Sequence, residues 1–201
     1  LGAQSALISD LYLLGNQSLF EAASEAVGIE VGLEAGYHKG FAPHPGVYMK
    51  TGFLRTDVRK ILTHEYVHLV LGEVAGDESL PAWLNEGLAT YHEYETGLVG
   101  ERPMVSRRKM YLSADRAVEA AMSGAMLPLP SLESQAVWNA QRDVDLSALQ
   151  YAEAHMAVRF LSERHGAAAA LEIVRDIAGG AALGDAIQST TGSTYEAFQA
   201  E

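Results

Sequence analysis

The sequence contains no cysteine, which removes several kinds of chemistry at the outset. Without thiols the chain cannot form disulfides, attack a carbonyl through a thiolate or bind a metal through a thiolate. Any metal site must therefore use histidine and carboxylate ligands. The sequence also lacks an apolar run of about 18 residues, the length that a membrane helix needs. We therefore expect no direct membrane insertion by this segment.

Positive charge is scarce as well. The chain has 14 Lys and Arg against 26 Asp and Glu, a formal net charge of −12, which opposes binding to phosphate backbones and anionic lipids. We expect no nucleic-acid partner. The start, Leu1-Gly2-Ala3, has neither an initiator Met nor a basic region followed by an apolar one. It is compatible with an exported or membrane-anchored protein whose N-terminal segment lies outside this sequence, so localisation stays open.

Length and composition predict one globular domain that spans residues 1–201, with 48% hydrophobic and 20% charged residues. Glycines, prolines and the alternating run Val47-Tyr48-Met49-Lys50 predict a small mixed sheet within about residues 1–100. Capping and breaker residues predict helices over 57–71, 81–95, 106–122, 149–164 and 167–177, with a short helix opened at Ser18. The predicted fold class is α+β: an N-terminal sheet packed on the helix of residues 57–71, then a mainly helical half over about 101–201.

One of these helices carries a metal-binding motif, the HExxH run His64-Glu65-Tyr66-Val67-His68. Histidines four residues apart project from the same helical face and can hold one ion. Zinc suits such a pair, because it takes imidazole nitrogen in tetrahedral geometry and leaves a position for water at catalytic sites. Zinc lowers the pKa of that water to about 7, and a neighbouring carboxylate can accept its proton. We predict one Zn²⁺ per chain, with Glu65 as general base.

The third ligand distinguishes the classes of zinc peptidase. The metzincin arrangement needs Gly and His three and six residues after the second histidine, where this chain has Leu71 and Val74. The other common arrangement takes a carboxylate from a second helix, and Glu86 lies near the start of the next predicted helix. Glu86 is therefore the predicted third ligand. His92 and Glu93, further along that helix, remain reserve candidates.

Two residues share the helical face of Glu86 and could orient a ligand. Thr90 and Glu93 follow it by four and seven residues, the spacing that stacks side chains along a helix. An exposed helix face is the favoured interpretation for Glu93.

The segment Pro-Ala-Trp-Leu-Asn-Glu-Gly-Leu-Ala-Thr-Tyr at 81–91, after Leu-Thr-His-Glu-Tyr-Val-His at 62–68, resembles the peptidase MA-like gluzincins. It is also similar to the corresponding helices of the large zinc aminopeptidases related to leukotriene hydrolase. The resemblance extends from about Val47 through the C-terminal helices. It implies a zincin-like fold and a metallopeptidase activity on peptide or protein substrates.

The resemblance also implies a group that stabilises the transition state. In these families a loop like that of residues 127–132 precedes a helix opened by a tyrosine, here Tyr151. By this resemblance Tyr151 donates its phenolic hydrogen to the oxyanion formed during hydrolysis. His155 lies one turn further on the same face, so it shares that role or forms a hydrogen bond within the core.

The glycine-rich stretch of residues 36–45 departs from the aminopeptidase pattern, since it lacks the GxMEN motif that binds a free substrate amine. Its histidines, His38 and His44, are interpreted as loop residues. A strand over 47–52 beside the catalytic helix could pair with an extended substrate, which favours an endopeptidase.

Two alternatives remain. The first is a non-catalytic interaction domain in which zinc staples the helices, although a structural site needs no general base such as Glu65. The second is an aminopeptidase of the same fold, which requires an amine-binding group that the sequence does not reveal.

Overall fold

The computed structural model describes residues 10–28, 36–39, 46–50, 58–99 and 103–201. In chain order the elements are β1 (Asp10–Leu14), α1 (Gln17–Val27), β2 (Gly36–Lys39), β3 (Gly46–Lys50), α2 (Val58–Ala75), α3 (Ala82–Leu98), α4 (Pro103–Ser123), a 3-10 helix (Leu129–Leu132), α5 (Gln135–Ala140), α6 (Val144–His165), α7 (Ala169–Ala178), α8 (Leu183–Thr191) and α9 (Tyr195–Ala200). The predicted α+β class, a small N-terminal sheet followed by helices, is confirmed. None of the helices in these ranges combines the length and hydropathy needed to span a bilayer.

The sheet is mixed, with the order β1-β3-β2. β3 pairs in parallel with β1, where Asp10 lies opposite Gly46, and antiparallel with β2, where Gly36 lies opposite Met49. The prediction that the strand beginning at residue 47 offers its edge to a substrate is therefore wrong, because β3 is hydrogen-bonded on both sides. Thr51 and Gly52, which the prediction also included, lie outside the described residues.

The alternation of side chains along β3 joins the sheet to two helices. Val47 and Met49 are buried against Leu69 of α2. Tyr48 points to the opposite face and packs with Phe20 of α1. The sheet is thereby fixed on the helix that carries the HExxH motif, and α2 contacts both β2 and β3.

Two helix starts differ from the sequence-based expectation because side-chain caps precede them. Asn16, rather than Ser18, caps α1, and its side chain accepts a hydrogen bond from the backbone N–H of Leu19. Asp143 caps α6 in the same manner, so this helix begins at Val144 instead of near residue 149. As a result Tyr151 lies two turns inside α6 and does not open it.

The end of α2 also lies further along the chain than predicted. The helix continues through Gly72 to Ala75 and ends where Gly76 takes a left-handed backbone conformation with φ of 63°. The predicted start at residue 57 lies outside the described residues, which resume at Val58.

The main core is built on α3, which lies between α2 and α6. Trp83 and Leu84 at its start are fully buried, and the Trp83 ring packs near Phe198 of α9. α3 and α6 are in close contact at Gly87, where a β-carbon would lie 2.5 Å from the Ala154 carbonyl oxygen and 2.8 Å from a Val158 methyl group. Glycine is therefore required there, directly after Glu86, to let α6 reach the site.

Candidate metal centre

Two helices bring three metal-ligating side chains together. α2 supplies His64 and His68, whose rings lie edge to face with centroids 4.8 Å apart. α3 supplies Glu86, whose Oε2 lies 3.4 Å from His64 Nε2 and 3.6 Å from His68 Nε2. One ligand atom from each residue lies within 4.8 Å of the other two, so a single cation could contact all three. The structure thus brings together the three predicted ligands.

The other polar atom of each ligand contacts a neighbouring side chain. His68 Nδ1 lies 2.9 Å from Asn85 Oδ1, and Gln135 Nε2 donates to Glu86 Oε1 at 3.1 Å. His64 Nδ1 lies 3.4 Å from Glu93 Oε2. The hydrogen bond to Asn85 fixes the orientation and tautomer of the His68 ring and leaves its Nε2 as the coordinating atom. The residues present therefore fit a divalent cation held by two imidazoles and one carboxylate.

The electrostatics of the three groups are strongly coupled. Burial alone lowers the pKa of His64, but its contacts with Glu86 and Glu93 outweigh burial and raise that pKa to about 10. Burial alone raises the pKa of Glu86, whereas His68 and His64 lower it to about 2. Without an ion, a protonated His64 and an ionised Glu86 therefore stabilise each other. A cation would take the place of that proton, so we expect its binding to release protons.

The predicted general base and oxyanion donor lie beside this centre. Glu65 follows His64 in α2, is buried, and its charge contributes to the raised pKa of His64. The Tyr151 ring from α6 lies 6.4 Å from the His64 ring, measured between centroids. Its other neighbour is the buried Trp138 of α5, edge to face at 5.1 Å. Four helices, α2, α3, α5 and α6, therefore border the site.

His155 occupies a different environment from Tyr151. It is fully buried, with Nδ1 at 3.3 Å from Ser113 Oγ of α4 and its ring edge to face with Tyr94 of α3 at 4.9 Å. Burial, helped by the charge of Arg159, lowers the pKa of His155 to about 4, so the ring is neutral at pH 7. These contacts support the packing role that the sequence left open beside the catalytic one.

The reserve candidates on α3 also have defined positions. Glu93 contacts the ring nitrogen of His64 that faces away from Glu86, and its side chain is only 19% exposed. The favoured interpretation of Glu93 as part of an exposed face is therefore wrong, since the carboxylate is mostly buried and faces a predicted ligand. Burial raises the pKa of Glu93, but His64, Lys109 and Lys60 outweigh it and lower that pKa. His92 packs edge to face with the neighbouring Tyr91 ring at 5.3 Å.

Sequence reasoning missed three residues that shape the site: Asn85, Gln135 and Trp138. Asn85 had a local signal, because it directly precedes the predicted ligand Glu86 on the same helix. Gln135 and Trp138 had none, since they lie on α5, a six-residue helix that the sequence did not predict. They reach the centre only through the tertiary fold.

The fold and this centre define a mainly helical protein in which an HExxH helix and the following helix form a candidate metal site. Residues 49–200 match the family profile of the Peptidase MA superfamily, and the chain belongs to that superfamily. Membership confirms the resemblance found in the sequence and points to a metallopeptidase. No curated protein and no solved structure gives a significant match to this chain.

Proposed function

We propose that this protein is a zinc-dependent peptidase of the gluzincin type, with one Zn²⁺ per chain held by His64, His68 and Glu86. The observation that carries the proposal is the convergence of one atom from each of these residues within 4.8 Å. Two imidazole nitrogens and one carboxylate oxygen form a donor set that zinc favours at catalytic sites. Zinc bound there would supply Lewis-acid chemistry, which acidifies a water molecule and polarises a peptide carbonyl.

Glu65 is the proposed general base. Its carboxylate would accept a proton from the attacking water and pass it to the leaving amine. Its burial next to His64 supports this role, because a buried carboxylate beside a hydrolytic centre is shielded from competing solvent protons. A site that only joined α2 to α3 would gain nothing from such a group, so we favour the enzyme over a zinc-stapled interaction domain.

Tyr151 is the proposed hydrogen-bond donor to the oxyanion of the transition state. The proximity of its ring to His64 and the support of the Trp138 ring favour this role. For His155 we propose a positioning role, since its contacts with Ser113 and Tyr94 hold α6 against α3 and α4. A fixed α6 keeps Tyr151 at a constant distance from the metal ligands.

The substrate is proposed to be an extended peptide or protein segment cleaved internally. β2 and β1, rather than β3, are the outer strands among those described, and β2 contacts the HExxH helix. A peptide that paired with β2 on the side away from β3 would extend the sheet along an outer strand. Binding of that kind needs no free terminus, which supports an endopeptidase.

Metal analysis and one carboxylate substitution test the proposal. The purified protein should contain about one zinc per chain, and His64→Ala should lose it. Glu65→Gln should keep zinc but lower cleavage of an unstructured protein by about 10²- to 10⁴-fold, the usual contribution of a general base. Glu78→Gln, at an exposed carboxylate after α2, serves as the matched control and should cleave normally.

Two results would contradict parts of this proposal. Equal cleavage by the wild type and Glu65→Gln would remove Glu65 as the base while leaving the metal site intact. A protein that contains no zinc and shows no response to added zinc would overturn the whole proposal.

A further inference from the structure

The outer side of α4 carries an apolar stripe whose side chains are at least half exposed. Six large apolar side chains of this helix are at least half exposed: Met104, Val105, Tyr111, Leu112, Val118 and Met122. Met104, Tyr111 and Val118 are spaced by seven residues, and Met122 follows by four, so these four form one line along the helix. We call this line the α4 stripe. Val105 and Leu112 border it.

The α4 stripe lies opposite the side of the helix that packs on the core. The core side consists of small residues, Ser106, Ser113, Ala117 and Ala120, all buried. Four exposed apolar side chains at heptad spacing are typical of a helix that pairs with another helix. The second helix must come from a partner.

Charges beside the stripe favour a second copy of this chain. Arg107 and Arg108 flank the N-terminal half of the α4 stripe, whereas Asp115 and Glu119 flank its C-terminal half. Two parallel copies of α4 would place like charges together. Two antiparallel copies would place the basic half of each beside the acidic half of the other. An anionic membrane would be repelled by the acidic half and by the net charge of −12.

The antiparallel arrangement also matches residue by residue. With a two-fold axis level with Ser113, Met104 of one copy lies level with Met122 of the other, nine residues to either side. Arg108 of one copy lies within one residue of the level of Glu119 of the other, five and six residues from the axis, and both lie on the same side of the stripe. Each contact occurs twice, as a two-fold interface requires.

A second pair lies closer to the axis. Tyr111 of one copy is level with Asp115 of the other, two residues to either side of Ser113. A phenol and a carboxylate in that position can form a hydrogen bond across the interface. A polar contact at the middle of the helix pair would therefore add to the burial of apolar side chains.

We propose that α4 forms a homodimer interface in which two copies of the chain pair antiparallel along the α4 stripe. A single helix pair spans about 30 Å and buries less than a typical stable interface. The exposed Val105 and Leu112, which border the stripe, add to the buried area.

Charge reversal tests the orientation. By sedimentation equilibrium the wild type should be dimeric, and Arg108→Glu and Glu119→Arg should each weaken the dimer by about tenfold or more, since each places two like-charge contacts in the interface. The double variant should restore it. Arg175→Glu, on the exposed side of α7, is the matched control and should stay dimeric. A wild type that is monomeric at about 100 μM overturns the proposal, as does a double variant no stronger than the single ones.

The absence of native cysteine allows a second test by disulfide cross-linking. A mixture of Met104→Cys and Met122→Cys proteins should form a mixed cross-linked dimer on mild oxidation. Neither variant alone should do so, because an antiparallel pair separates identical positions by about 27 Å along the helix, far beyond disulfide reach.

Other occupants of the stripe give distinguishable results. Cross-linking of Met104→Cys alone would show a parallel pair and overturn the proposed arrangement. A monomeric wild type that binds neutral or anionic lipid vesicles through Met122, so that Met122→Glu abolishes binding, would assign the stripe to a membrane surface instead. Circular dichroism of each variant separates loss of pairing from loss of fold.

Discussion

Asn85 and Glu86 are neighbours in α3 with different tasks at the same centre. Glu86 presents one carboxylate oxygen to the two histidines, while the side chain of Asn85 forms a hydrogen bond with Nδ1 of His68. Gln135, on a different helix, donates a hydrogen bond to the second carboxylate oxygen of Glu86. The ligand atoms are therefore oriented by contacts made on their outer sides, before any ion binds.

Removal of the contact to His68 should weaken metal binding without removing a ligand. Asn85→Ala frees the His68 ring to rotate and to change tautomer, so we expect zinc affinity to fall by about 10- to 100-fold. Competition with a chromophoric chelator measures this. Asn85→Asp keeps an acceptor for the ring N–H and should retain most of the affinity. Equal affinity in Asn85→Ala would mean that this contact does not orient the ligand.

At the scale of secondary-structure elements, the distance between α3 and α6 determines whether Tyr151 reaches the centre. The two helices are in close contact at Gly87, and the backbone of Ala154 leaves no room for a side chain there. Ala154 follows Tyr151 by less than one turn. Any change that separates the helices at this contact therefore also moves Tyr151 away from His64.

Two glycine-to-alanine substitutions separate the effect of overpacking between α3 and α6 from the effect of helix propensity. Gly87→Ala should destabilise the protein by about 1 to 3 kcal/mol through overpacking, and should lower peptidase activity as α6 shifts. Gly72→Ala, in the exposed interior of α2 with open space around it, should stabilise by about 0.5 to 1 kcal/mol. Urea unfolding of both variants checks the signs. A neutral Gly87→Ala would show that the helices can separate without cost.

The metal ligands were more predictable than their surroundings because they depend on helical spacing within two adjacent helices. His64 and His68 share a face by periodicity alone, and Glu86 follows from its place on the next helix. The pairing of β3 between β1 and β2 could not be read locally, since strand order depends on distant segments. α5 escaped prediction for a similar reason, because six residues carry too little periodic pattern to predict a helix.

At the scale of the whole molecule, one buried carboxylate makes stability depend on pH. Glu153 of α6 is 3% exposed; Oε1 accepts a hydrogen bond from the Leu127 backbone N–H at 3.0 Å, and Oε2 has no hydrogen-bond partner in the described part of the chain. Burial raises the pKa of Glu153 from its ordinary value of 4.5 to about 7, although the Leu127 N–H opposes this. Between these two pH values the folded state binds more protons than the unfolded state, so stability falls as pH rises.

Glu153→Gln should remove this dependence. Relative to the variant, the wild type should lose on the order of 2 kcal/mol of unfolding free energy between pH 5 and pH 8, with most of the loss below pH 7. Urea unfolding of the chelator-treated proteins at several pH values measures it. Glu163→Gln, at an exposed position of the same helix, should keep the wild-type slope. Parallel slopes for wild type and Glu153→Gln would rule out Glu153 as the titrating group.

The short connection between α2 and α3 has a consequence for the order of folding. Residues 76–81 join the two helices, so all three ligands lie between residues 64 and 86. The pairing of β1 with β3 and the contact of Gly87 with Ala154 join segments much further apart, and closing longer loops costs more entropy. The α2–α3 hairpin should therefore form early, before the sheet and α6 are in place. An ion captured at that stage would act as a nucleus on which the rest of the chain assembles.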